Sequence, residues 1–295
     1  MKSFAAIRLL GLALVAAVLP ACLSTNPDRT APQPQPLPSV TTFKAAVLSG
    51  RQEVPPVDTT ATGNASVSIN TRRTEVTVTV DVTGLTDITE AHLHFGPPGS
   101  DGPIIFPLAM SSFTSPLIVT LTQADYLPAV NATTFDAGLV AIEQGNTYVN
   151  VHTAAHPDGE IRGQVGPVSL STTLTGLDVV PSVSTIATGT LGVTLSPDQT
   201  SMTIVLNQTE LGPATGAQIN VGAFGQNGPI IFPLAGSFYQ TPLNTTMTST
   251  TLVPATTSGV STFNDAVDMM LSGNTYASVN TAANPSGAIR GQILP

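Results

Sequence analysis

All four histidines of the chain fall in two short clusters. Ala91-His-Leu-His-Phe-Gly96 spaces His92 and His94 two apart, which on a strand puts both imidazoles on one face. His152-Thr-Ala-Ala-His156 runs directly into Pro157-Asp-Gly-Glu160. Two imidazoles from one strand and a third from a neighbouring strand make a three-nitrogen donor set suited to zinc or copper. This reading takes His92, His94 and His152 as the metal ligands. His156 is a fourth candidate, four residues on and past the expected strand end, while Glu160 and Asp158 could ligate or orient a ligand from behind. The same residues also read as partly buried strand histidines bonded to turn carbonyls, with no metal at all.

An internal duplication supplies a comparison. GPIIFPLA begins at Gly102 and again at Gly228, an offset of 126, and GNTY begins at Gly145 and again at Gly273, an offset of 128. Ala61 to Ile69 likewise matches Ala187 to Leu195. Repeat one therefore covers about 41–167 and repeat two about 168–295. Each is long enough to bury its own core, so the pair reads as tandem domains and not as a solenoid. In repeat two His92, His94, His152 and His156 become Gln218, Asn220, Asn280 and Asn284. Asp101, Asp158 and Glu160 become Asn227, Ser286 and Ala288. Amides can take over hydrogen bonds from imidazoles but are poor transition-metal ligands. Joint loss of all four histidines points to one shared purpose in repeat one. Arg162 and Arg290 persist in both repeats, as does GPIIFPL. Their survival assigns them to folding, the guanidinium as a holder of loop carbonyls.

The elements that must position these residues are strands. Glu75 to Val82 alternates strictly between polar and apolar side chains, the mark of a strand with one buried face. Met202, Ile204 and Leu206 keep the same parity in repeat two. Asn70–Arg73 and Ser196–Gln199 read as the turns of hairpins. One short helix per repeat is expected, at Phe135–Glu143 and Phe263–Leu271, each closed by a glycine just beyond it, Gly145 and Gly273. The fold class is all-β: two tandem antiparallel β-sandwich domains, Greek-key-like, each with one short helix.

Composition agrees, with 41% hydrophobic and only 9% charged residues in 295. A net charge of −9 with nine Lys plus Arg argues against nucleic acid as a partner, because phosphate neutralisation needs clustered cations. Residues 1–22 look like a bacterial lipoprotein signal: Lys2 and Arg8, an apolar stretch from Leu9 to Leu19, then Leu19-Pro20-Ala21-Cys22. Cys22, the only cysteine, would be lipidated and excludes intrachain disulfides. An ordinary secretory signal is the alternative. Residues 23–40 carry five prolines and read as an extended linker. The expected location is the bacterial cell envelope, exported and held to a membrane by lipid. No nucleophile elbow, phosphate loop or zincin motif is present.

AHLHFGPPGSDGPIIFPL followed by GNTYVNVHTAAHPDGEIRGQV resembles the CHRD domain, a module named after chordin and found also in bacterial secreted proteins. The resemblance covers nearly all of repeat one, and repeat two resembles a degenerate copy without the histidines. It implies an extracellular β-rich module and carries no settled biochemical activity. His92-Leu-His94 is also similar to the His-Val-His element of copper,zinc superoxide dismutases, although the disulfide cysteines and zinc loop of that family are missing. Three readings follow. The first is a membrane-tethered, non-enzymatic binding module with a copper or zinc site in repeat one and a protein or surface ligand of unknown kind. The second is a copper-dependent redox enzyme of dismutase type, and the third a structural or adhesive surface protein with no metal.

Overall fold

The computed structural model describes residues 40–295. The leader, Cys22 and all of the linker before Val40 lie outside the described residues. Repeat one contains β1 (Thr41–Ser49), β2 (Thr62–Ile69), β3 (Glu75–Thr83), β4 (Ile88–Phe95), β5 (Ile104–Ala109), β6 (Leu117–Thr122), α1 (Phe135–Glu143), β7 (Thr147–Thr153) and β8 (Ile161–Val165). Repeat two contains β9 (Ser169–Thr175), β10 (Thr188–Leu195), β11 (Ser201–Thr209), β12 (Ala214–Val221), β13 (Ile230–Ala235), β14 (Leu243–Thr248), α2 (Phe263–Leu271), β15 (Thr275–Thr281) and β16 (Ile289–Ile293).

The strands of repeat one form a single antiparallel sheet in the order β5-β4-β7-β8-β1-β2-β3-β6, and repeat two repeats that order strand for strand. Each sheet curls over its own apolar core into a nearly closed barrel or sandwich, giving two tandem all-β domains. In β3 the alternation puts Val76, Val78 and Val80 in the core. Both helices occupy the spans expected for them. Thr134 and Thr262 cap them by accepting the N–H of Ala137 and Asp265. Gly145 follows α1 at φ 73°, and a Cβ there would meet the Pro167 carbonyl, so the position requires glycine.

β7 and β8 depart from the simple alternating picture, because every residue of both is buried. Val149, Val151, Ile161 and Val165 enter the core. The other face carries Tyr148, Asn150, His152, Arg162 and Gln164, all polar and all buried. A polar face without water must satisfy its groups internally, and this requirement organises the loops that cover it.

The two sheets meet through a small polar joint. Asp268 of α2, only 3% exposed, accepts hydrogen bonds from Ser49 Oγ (2.6 Å), Gln52 Nε2 (2.9 Å) and Arg51 Nη1 (3.2 Å). Gln52 in turn accepts from the backbone N–H of Gln164 at 3.2 Å. Gln199 of the β10–β11 turn donates to the carbonyls of Gln164 and Gly166, each at 3.0 Å. The residue matching Asp268 in α1 is Val140, so the joint belongs to the pairing of the repeats and not to the repeat itself. Asp268→Val leaves the buried Ser49 hydroxyl without its acceptor. A loss of about 2 kcal/mol is expected in urea unfolding of the protein. An unchanged midpoint would remove the joint from the account of stability.

Candidate metal centre

β4 and β7 are paired so that His92 faces Asn150, His94 faces Tyr148, and Glu90 faces His152. Period-two geometry therefore collects His92, His94 and His152 on the same covered polar face. One nitrogen from each ring lies within 4.8 Å of the other two. The rings pack edgewise or tilted, with centroids 4.9 Å apart for His92 and His152, 5.6 Å for His92 and His94, and 6.3 Å for His94 and His152.

Proton placement follows from the partners. His94 Nδ1–H donates to the Gly102 carbonyl at 2.8 Å, and His152 Nδ1–H donates to the Pro157 carbonyl at 2.9 Å. Carbonyls only accept, so in each neutral ring Nε2 carries a lone pair. His94 Nε2 is buried without a hydrogen-bond partner. His152 Nε2 faces His92 Nδ1 at 3.1 Å, and His92 Nδ1–H is the donor. That choice leaves a lone pair on His92 Nε2, which is buried, unpartnered and 3.3 Å from Glu90 Oε2. His92 is thus the frustrated ring of the three: either nitrogen that takes the proton leaves the other facing a lone pair.

Three imidazoles, two of them with Nδ1 fixed by carbonyls and the third with a carboxylate beside it, fit a transition-metal ion such as zinc or copper by donor type and by surrounding support. Bonds of about 2.05 Å set ligand nitrogens roughly 3.3 Å apart in a tetrahedral site, so the rings need to close by side-chain rotation. Burial disfavours the charged forms of His92 and His94. It lowers His94 to about 4 against the weaker opposing effect of the Gly102 bond, and lowers His92 with help from the neighbouring His152.

Of the other residues singled out in the sequence, His156 does not join the cluster; among the described residues it holds three histidines, not four. The chain leaves β7 at Thr153 and turns, and His156 makes backbone bonds to Thr153 while its side chain lines a cleft beyond the strand end. Glu160 is buried, but its carboxylate accepts from Thr59 Oγ1 (2.8 Å) and Thr153 Oγ1 (2.7 Å) and touches no ring of the triad. It ties the β1–β2 connection to the end of β7. Asp158 is exposed on the loop whose Pro157 carbonyl holds His152.

Arg162 holds loop carbonyls as expected. Its guanidinium lies 3.5 Å over the Tyr148 ring, donates to the Ser100 carbonyl at 2.8 Å and the Pro97 carbonyl at 3.3 Å, and pairs with Asp101 at 3.3 Å. Tyr148 in turn stacks on His94, interplanar angle 9°. Repeat two builds the same scaffold, with Arg290 over Tyr276 at 3.6 Å and bonded to Gln226 and Asn227. It also preserves the hydrogen bonds of the triad in amide form: Asn220 donates to Gly228 and Gln218 donates to Asn280. What repeat two lacks is the ring nitrogen lone pair.

Two acids of this face escaped the sequence reading. Glu90 stands beside His92 and becomes Gly216, while Glu53 is buried near Arg162 and becomes Val179. Extending the comparison of repeats to every acid would have found both.

A tandem pair of all-β domains, one of them bearing a buried three-histidine cluster, is the class defined by this fold and site. The chain belongs to the CHRD domain family, whose pattern matches residues 44–165 and again 170–293. None of the curated proteins compared with the chain matches it.

The lowered histidines make stability depend on pH. Unfolded imidazoles take up protons below about 6.5, whereas His94 in the fold resists until about 4, so the unfolded state binds more protons in this window and stability falls as pH falls through it. The contribution of His94 is about 3 kcal/mol. Metal-free protein should lose stability between pH 6.5 and 4, and His92→Gln/His94→Asn should flatten that dependence in urea titrations at several pH values. Parallel profiles would contradict it.

Proposed function

We propose that the protein is a non-enzymatic, extracytoplasmic binding module whose first CHRD domain holds copper or zinc through His92, His94 and His152. The observation that carries the reading is the convergence of three buried imidazoles, two of them with Nδ1–H already given to backbone carbonyls. With a metal present, His92 would carry its proton on Nε2, facing Glu90, and the conflict within the free triad would end. The second domain keeps the scaffold without the donors and serves as a partner surface held at the Asp268 joint.

The extracellular character of CHRD domains supports export, and the Cys22 leader supports attachment to a bacterial envelope membrane by lipid. No helix among the described residues is long and apolar enough to cross a membrane. Cys22→Ser should move the protein from the membrane fraction to the soluble fraction, and a variant that stays in membranes would refute the anchor.

The metal reading is tested by titrating copper and zinc into purified mature protein and into His92→Gln/His94→Asn, which copies repeat two. One equivalent should bind to the parent, with at least a hundredfold loss of affinity in the variant, in line with removal of two of three ligands. Equal binding by both proteins, or by neither, would refute the site.

A further inference from the structure

The joint between the repeats brings together two unlike surfaces. Repeat one contributes Ser49, Arg51 and Gln52 at the end of β1, together with the 96–102 loop. Repeat two contributes α2 and the chain end, where Asp268 takes the hydrogen bonds and Pro295 lies against Gly99. Because the repeats share one strand order, each of these surfaces has a counterpart on the other repeat that the joint leaves unused. On repeat two the counterpart of Arg51 is Leu177, and that of Pro98 is Phe224. On repeat one the counterpart of Asp268 is Val140, and that of Pro295 is Pro167.

Both unused surfaces are apolar where the joined ones are polar. Leu177 is 82% exposed and Phe224 74%, and they flank a cleft of about 110 Å³. The polar groups behind them are already spent: Asp178 accepts from Thr175 Oγ1 at 2.7 Å, and Gln292 donates to the Gly222 and Gly273 carbonyls at 2.9 Å each. Gly99 and its counterpart Gly225 share a left-handed backbone, φ 70° and 74°. A Cβ on Gly99 would press on Pro295 at 3.0 Å, whereas one on Gly225 meets nothing within 4 Å among the described residues. The place that Pro295 fills beside repeat one is thus open beside repeat two. On the other unused surface, Val140 and Pro167 are half-buried, and the turn between the bridged residues Ala129 and Ala132 carries Val130 at 90% exposure. The matching turn, Ala255 to Val260, is longer and lies beside Arg51.

We infer that a second copy of this chain docks head to tail, the Leu177 and Phe224 surface of one copy against the Val130 and Val140 surface of the next, in the arrangement that joins the two repeats within a chain. The exchange on both sides carries the argument: the ion pair of Arg51 with Asp268 is replaced by an apolar pair, Leu177 opposite Val140. Solvent alone gives no reason for both members of a pair to lose charge at matching positions. The exchange also selects the partner. Leu177 against Asp268 would strip a buried carboxylate of its donor, and Arg51 against Val140 would cover a cation without an acceptor. Unlike surfaces that pair in this way build rings or open chains of copies. The inference does not depend on metal in the triad.

The test is analytical ultracentrifugation of the full mature chain in chelator, from about 10 μM to about 1 mM, with Cys22→Ser to exclude lipid and disulfide links between copies. The weight-average mass should rise with concentration. Leu177→Asp and Val140→Asp each block one end, and each should weaken self-association about tenfold or more. An equimolar mixture of these two variants should form a heterodimer and grow no further, because each supplies the end that the other lacks and the two blocked ends repel. Melting curves check that the variants fold, and Val130→Asp, at a solvent-exposed position, repeats the Val140 arm if Val140→Asp does not. A monomer at every concentration, self-association unchanged in the variant of either end, or a mixture that stays monomeric would each overturn the proposal.

Discussion

The stack of Arg162 on Tyr148 is the contact on which the covered face depends. The guanidinium sits 3.5 Å over the ring, and its donors reach the carbonyls of Pro97 and Ser100, so β8 and β7 together hold down the 96–102 loop. Tyr148 completes the hold by accepting the N–H of Gly102 at 3.0 Å. The carbonyl of that same glycine then fixes His94 Nδ1, and the far side of the Tyr148 ring sets the plane of the His94 ring. Orientation of a candidate ligand is thus inherited from a packing device that serves folding in both repeats. A buried cation is tolerated here because ring face, carbonyls and Asp101 share it.

Repeat two shows which part of this arrangement folding requires. Asn220 takes the place of His94 and gives the same hydrogen bond to the same loop, at 2.9 Å, and Gln218 with Asn280 replaces the bond between His92 and His152. A hydrogen-bonding role alone is therefore satisfied by amides, which do not titrate in this range and do not attract transition metals. The histidines add lone pairs, and with them a conflict: His92 has two inward-facing neighbours and one proton. Unresolved conflicts of this kind are costly, and they collect at sites of function.

The parts of the architecture that repeat a simple period were legible in the sequence. The alternation of Glu75 to Val82, the caps and closing glycines of the two helices, and the same-face placement of His92 and His94 follow from local geometry. His156 was a fourth candidate placed past the strand end, and the turn after Thr153 leaves it outside the cluster of three histidines. Glu160 has the chemistry of a supporting acid but is spent on two threonine hydroxyls, one of them from Thr59, a hundred and one positions away. Glu53 and Asp268 were invisible for the same reason: a carboxylate in a loop or on a helix reads as a solvated charge until tertiary packing closes over it.

The central claim is that one metal ion is held by three imidazoles of the first domain alone. The most direct measurement is an anomalous difference map, at the zinc or copper edge, from crystals grown with one equivalent of that metal. The account predicts a single strong peak within bonding distance of nitrogens from His92, His94 and His152, and no peak at Gln218, Asn220 and Asn280. A peak elsewhere, or equal peaks in both domains, would contradict it.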